Sequence, residues 1–222
     1  MSNETLTLTK ADINAVNLKD AGYINNRGAK FYTDGEYKTA VEYYRLAAVM
    51  GDMNAVSNLG YCYLYGRDIE QNTSLAIAYF KIAAEHGNID AAYKLGDIYS
   101  RDKWGMMDID LSLYYYNIAA CIATDGDFNI DAVIYSDKLC KYPSLCYALG
   151  REMSYGGRMN TDIKLAYSFL KHAQAGYKAE LDNGAVMYKT AYEGVNKLLK
   201  DPQFDRIRKE CDDLFADIYH NF

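Results

Sequence analysis

Three histidines and five cysteines are the side chains here best suited to nucleophilic, acid–base or metal chemistry: His86, His172 and His220, with Cys62, Cys121, Cys140, Cys146 and Cys211. Metal sites and disulfide frameworks place such residues at short, recurring spacings. These cysteines are odd in number, irregularly spaced and form no CxxC pair. No zinc site and no disulfide scaffold is expected, and free thiols fit a reducing compartment. Cys62 and Cys211 fall on apolar helical positions, where a thiol packs as a small hydrophobe. His86 and His172 occupy equivalent late positions in two similar segments. A cation there suits a helix C-terminus, so both are expected to cap helices or lie at the surface.

Other chemistry is sought by pattern. Asp125, Asp127, Asn129 and Asp131 alternate like the start of a calcium loop. An EF-hand loop needs Gly sixth and Glu twelfth; Ile130 and Ser136 stand there instead. There is no G-x-S-x-G, no HExxH and no glycine-rich phosphate cradle. A protein without catalytic residues, metal or cofactor is the leading expectation. The alternative is a hydrolase-like enzyme with an unrecognised site in a groove or in the 125–142 segment, where acidic and histidine side chains would converge.

The elements that must position any site come from a repeat. Leu59-Gly60 recurs 36 residues later as Leu95-Gly96, and after a further 54 as Leu149-Gly150. The longer interval carries an insertion over 125–142. A second motif is Ala76, Tyr79, Phe80, Ala83, Ala84, with copies at Ala40, Tyr43, Tyr44, Ala47, Ala48, at Ser112, Tyr115, Tyr116, Ala119, Ala120, and at Ala166, Phe169, Leu170, Ala173. These offsets line one face of a helix. Nine residues after Tyr63, Tyr99 and Met153 stand Asn72, Asp108 and Asp162, each a good N-cap residue. The spacing predicts a first helix of each pair over 15–33, 53–65, 89–101, 143–155 and 178–194, and a second over 38–50, 73–86, 109–122 and 163–175.

The pattern LG-x-x-Y-x-x-G, a loop with an Asn or Asp cap, then A-x-x-Y/F-Y/F-x-x-AA-x-x-G resembles the Sel1-like repeat, a relative of the tetratricopeptide repeat. The resemblance covers about residues 20–200 and is fullest over Leu59–Gly87. In the first repeat the Gly28–Ala40 spacing is 12 residues rather than 16, like the tighter tetratricopeptide turn. The resemblance implies an all-α, right-handed α-solenoid of stacked antiparallel helix pairs with a C-terminal capping helix. One domain, 1–222, is expected, with repeats at 15–52, 53–88, 89–142, 143–177 and a degenerate 178–222; residues 1–12 are read as disordered. The capping helix starts after Asp201-Pro202, with an apolar stripe of Phe204, Ile207, Cys211, Leu214, Phe215 and Ile218.

Tyrosine is the compositional outlier, with 23 copies against 7 Phe and 1 Trp. The resemblance implies that first-helix residues line a concave groove. The residues three before and one after each Gly, and those one turn further on, give a candidate binding set. It comprises Asn25, Tyr32, Ser57, Tyr61, Tyr65, Tyr93, Asp97, Arg101, Tyr147, Arg151 and Tyr155. A Tyr-rich groove suits an extended peptide or partner helix. Some tetratricopeptide domains clamp an acidic C-terminus, but here Asp90 and Asp97 stand among Lys94 and Arg101, so that specificity is not carried over.

The expected function is a protein-interaction scaffold or adaptor binding a protein or peptide. The net charge of −6 disfavours nucleic acid, which needs a basic stripe, and an anionic membrane surface. No basic-then-apolar leader is visible and no apolar run approaches a membrane span. A cytoplasmic location is expected, a removed leader being the alternative.

Overall fold

A computed structural model describes residues 6–126, 137–154 and 163–219. Among them are α-helices and short 3-10 turns but no strand. The chain forms two compact units, 1–108 and 109–222.

The first unit contains α1 (Lys10–Asn17), α2 (Ala21–Thr33), α3 (Tyr37–Val49), α4 (Met53–Tyr65), α5 (Thr73–Glu85) and α6 (Ile89–Tyr99), then a 3-10 turn at Asp102–Trp104. Consecutive helices pack as antiparallel neighbours, most closely in the α2/α3 and α4/α5 pairs. The core is the repeated motif itself. Ala40, Tyr43, Tyr44 and Ala47 are buried on α3, and Ala76, Phe80, Ala83 and Ala84 on α5.

The repeat glycines are packing devices. A Cβ at Gly60 would stand 2.8 Å from the Phe80 ring, and one at Gly28 would stand 2.8 Å from that of Tyr44. Only glycine lets the second helix of the pair bring its ring this close. The short turn at Thr33–Glu36 changes the register of the first pair without changing this contact.

Two recurrent junctions explain the periodicity. Gly51 and Gly87 adopt left-handed φ of 95° and 84°, which ends a helix at low strain. Asp52 and Asn88 then cap the next helix by accepting from Ala55 N at 2.7 Å and Ala91 N at 2.8 Å. The nine-residue offset has its own cause. The backbone N–H of Asn72 donates to Tyr63 O at 2.9 Å, and that of Asp108 donates to Tyr99 O at 2.9 Å. Each loop is thus closed through the backbone of the residue at the expected cap position, and the Asn72 side chain also accepts from Leu75 N at 2.9 Å. Asp162 lies outside the described residues.

The helix expected over 15–33 is two helices. Leu18–Asp20 interrupts it, with Lys19 at φ 58° and Asp20 capping α2 through Tyr23 N. Residues 10–12 belong to α1, and Leu6 and Leu8 pack on the core, so the disorder expected over 1–12 does not hold for 6–12; residues 1–5 lie outside the described residues. Asp12 is the reason this end is ordered. Fully buried, it accepts from the Tyr43 hydroxyl at 2.7 Å, the Thr9 hydroxyl at 2.7 Å and Thr9 N at 2.9 Å. Arg27 Nε stands 3.3 Å away. Burial opposes the charge on Asp12, but hydrogen bonds from Tyr43 and Thr9, and then Arg27, outweigh it and hold the carboxyl below its usual range.

The second unit contains α7 (Ile109–Ala123), a 3-10 turn at Asp137–Lys141, α8 (Pro143–Ser154), α9 (Ile163–Asp182), a 3-10 turn at Val186–Tyr188, α10 (Lys189–Leu198), a 3-10 turn at Pro202–Phe204 and α11 (Arg208–Tyr219). The α8/α9 pair repeats the seam of the first unit, with a Cβ at Gly150 reaching Leu170 at 2.8 Å.

Here the expected boundary at 175–178 is absent. Gly176 is followed by Tyr177 rather than by a capping Asp or Asn, and it stays helical, so α9 runs on to Asp182. The turn comes at Gly184, φ 89°, and α10 replaces the helix expected over 178–194. Asp201 accepts from Gln203 N at 3.0 Å, as its capping role requires, but Pro202 opens a 3-10 turn before α11. Within the expected stripe, Phe204, Cys211 and Phe215 are buried and Ile207 is half-buried. α11 packs on α9, while Asp205, Arg206, Lys209, Glu210 and Asp213 face water.

Candidate partner-binding face

In the first unit the predicted residues divide by depth. Asn25 and Ser57 are buried. Asn25 accepts from the Asn58 side chain at 2.9 Å, so it links α2 to α4. Tyr32 is half-buried and meets Tyr37 edge to face at 5.0 Å.

The remaining residues of this unit form a connected row. Tyr61 and Tyr65 stack with ring centroids 6.3 Å apart, as their i, i+4 spacing on α4 dictates. Tyr65 is 40% exposed and meets the Trp104 ring at 5.8 Å. Lys94 on α6 lies 5.4 Å from both the Tyr61 and Tyr93 rings, a cation shared by two aromatic faces. Asp97 then lies 3.5 Å from Lys94 and 3.3 Å from Arg101. Helix α6 ends at Tyr99 rather than 101, so Arg101 stands just beyond it, exposed.

Two members of this row are not in the sequence-derived set. Trp104 lies in a linker without repeat periodicity; its signal is being the chain's single tryptophan. Lys94 is adjacent to a predicted position, and its role emerges only when α4 and α6 are packed together.

In the second unit the corresponding position is half-buried and packs against a later helix. A Cβ at Gly194 of α10 would stand 2.7 Å from the Tyr147 hydroxyl, so α10 passes over this tyrosine. Tyr147 also meets the Tyr177 ring edge to face at 6.4 Å, and Arg151 lies 5.9 Å from its centroid. Burial pushes the Tyr177 hydroxyl up to about 12. Arg151 is further held by Glu152 at 2.8 Å. Tyr155 lies outside the described residues.

The histidines separate. His86 is the C-cap of α5, and its Nδ1 lies 2.8 Å from Ile82 O, the capping role expected. His172 contradicts the same expectation. Because α9 continues past it, His172 is a mid-helix residue and fully buried. Its Nδ1 stands 3.2 Å from Cys140 Sγ. The five cysteines all lie among the described residues and form no disulfide. Asp125, the first residue of the calcium-like run, pairs with Lys138 at 2.7 Å, and the run's other members lie outside the described residues. Among the described residues no helix is long and apolar enough to cross a membrane.

Two solved structures are similar to this chain. A Sel1 repeat protein from Oxalobacter formigenes is 18% identical, with 95% of this chain and 91% of that one covered and a TM-score of 0.46. A protective antigen present in uropathogenic Escherichia coli strains, displaying an SLR fold, is 15% identical, with 93% and 62% covered and a TM-score of 0.40. No curated protein matches. The Sel1 repeat family model matches residues 20–52, 54–88, 89–121 and 143–173, more than half of the chain. Those spans hold the glycine seams and capped junctions described above, and the chain belongs to the Sel1 repeat family, whose members are generally protein-interaction scaffolds and typically non-catalytic.

Proposed function

We propose that the chain is a non-catalytic interaction scaffold whose first unit takes an extended protein or peptide segment across the α4–α6 face. The observation that carries this reading is the row of half-exposed rings interleaved with cations: Trp104, Tyr65, Tyr61, Lys94, Tyr93 and Arg101. Rings of this kind give large contact area at low cost in side-chain entropy. Lys94 and Arg101 share the single Asp97 carboxylate, which offsets part of their charge. Ring contacts and main-chain hydrogen bonds would dominate recognition, rather than a carboxylate clamp.

The test is selection of binding peptides from a random displayed library, followed by calorimetry with Tyr65→Ser/Arg101→Ala. Both residues are exposed enough for helicity to survive. The expected result is a loss of about tenfold or more in affinity, which is about 1.4 kcal/mol. Selected peptides that bind native and variant chains equally would remove this face from consideration.

A further inference from the structure

Cys140 and His172 come together through three separate packing arrangements. His172 lies mid-helix on α9, fully buried, and its ring meets Phe215 of α11 edge to face at 5.1 Å. The 137–141 turn lies along the same face of α9. The Cys140 carbonyl rests on Gly176, one helical turn beyond His172, where any Cβ would collide with it. On the other side, the Cys146 thiol donates to Leu139 O at 3.3 Å, and the Leu139 side chain is fully buried. The result is a Cys140 Sγ–His172 Nδ1 distance of 3.2 Å, with Cys140 itself partly exposed.

A nucleophile and a base within hydrogen-bond reach, the base oriented by a third group, are the minimum for an activated thiol. Proton transfer from Sγ to Nδ1 creates a thiolate–imidazolium pair of zero net charge. The buried ring therefore accepts a proton without becoming an isolated buried cation. Two other thiols stand in a different environment. Burial pushes the Cys62 thiol up to about 11 and raises that of Cys146 as well; Cys211 is buried too.

We propose that Cys140 is an oxidation site at which His172 activates the thiol toward hydrogen peroxide. The thiolate attacks one peroxide oxygen. The S–O bond forms as the O–O bond breaks, and the leaving hydroxide takes from Nδ1 the proton that came from sulfur. Sulfur is oxidised by two electrons to a sulfenic acid, and peroxide is reduced to water.

The experiment uses the full chain and peptide mapping by mass spectrometry. Iodoacetamide labelling at neutral pH is timed for each cysteine in the folded chain and in urea. A sulfenic-acid trap is applied after hydrogen peroxide. Cys140 is expected to label about tenfold faster folded than unfolded and to carry the trapped adduct ahead of Cys121, the other partly exposed thiol. His172→Asn places a neutral amide near Nδ1 and should remove that acceleration. The folded-to-unfolded ratio in the native chain decides the matter even if the variant fails to fold. A Cys140 that reacts no faster folded than unfolded, that traps no more than Cys121, or that keeps its rate in a folded His172→Asn chain overturns the proposal.

Discussion

The same repeat position meets different neighbours in the two units, although Tyr61, Tyr93 and Tyr147 are all half-buried. On α4 and α6, Tyr61 and Tyr93 share a lysine and lead to an exposed Tyr65 and Arg101. On α8, Tyr147 sits under α10, with Gly194 against its hydroxyl. The motif around each Gly is alike, so the first helix alone does not make a binding face. The segment after the second helix decides. A left-handed glycine plus a capping Asp or Asn, as at Gly51-Asp52 and Gly87-Asn88, starts a new regular repeat. Gly176-Tyr177 lets α9 continue, and the next helix returns over the face.

The strongest test of this difference is to substitute the two kinds of glycine. Gly176→Ala drives a methyl group into the Cys140 carbonyl and against Pro143, neither of which is the free end of a flexible side chain. A loss of about 3 kcal/mol is expected, near the upper end for overpacking. The nearest atoms that Gly60→Ala meets belong to the Phe80 ring, a side chain rather than backbone, and the substitution should cost about 1–2 kcal/mol. Urea midpoints at unchanged denaturant slope measure both. Equal losses would mean that the 137–141 turn yields as easily as a side chain.

Next in size is Asp12→Asn, which probes how the first unit is ordered. It leaves Arg27 without its carboxylate, but Arg27 is partly solvated, so the expected loss is about 2 kcal/mol. The sign with pH is set by the depressed carboxyl of Asp12. Its contribution is fully present above the unfolded value of 3.8 and is lost as pH falls through the lower folded value. Native and Asp12→Asn stabilities, tracked by circular dichroism during acid titration, should therefore converge below 3.8. A gap that stays constant through that range would show that packing of the carboxyl, not its charge, ties α1 to the core.

These residues also mark where the sequence is legible. The glycine seams, the Asn72 cap and the repeat period are readable because each is a local rule: a close approach, a capped N-terminus, a closed loop. His172 departs from its expected surface position because its environment depends on where α9 ends. That in turn depends on Gly176 remaining helical beneath a turn that lies 36 residues earlier in the chain, at Cys140. Asn25 and Ser57 fit the groove offset, yet they are buried because a fixed offset does not register how closely neighbouring helices approach. Trp104 belongs to no repeat position, so periodicity could not place it on the face.

Binding gives a smaller energy but the more direct contrast. Tyr65→Ser/Arg101→Ala in the first unit should weaken a selected peptide about tenfold while costing only about 1 kcal/mol of stability through the lost ring contacts. Tyr147→Ala in the second should do the reverse. It empties space beneath α10 and beside Tyr177, costing about 3 kcal/mol of stability, with peptide affinity within about twofold as long as the chain is folded. Calorimetric affinity and urea midpoint, measured on both variants, separate the two roles. A Tyr147→Ala chain that stays stable and loses the peptide would show that α10 does not protect this tyrosine from partners, and the contrast between the units would then lie in sequence alone.

The smallest effect tests what sets the repeat's nine-residue offset. Asn72 contributes twice: its backbone N–H closes the loop onto Tyr63 O, and its side chain caps α5. Asn72→Ala removes only the second contribution and should cost about 1 kcal/mol, whereas Asn72→Gly should cost a few tenths. Those values would mean that the side chain tunes a loop already closed by the backbone. A loss of about 3 kcal/mol in either variant would exceed the range of a single cap and make the side chain itself the element that holds α4 and α5 in register.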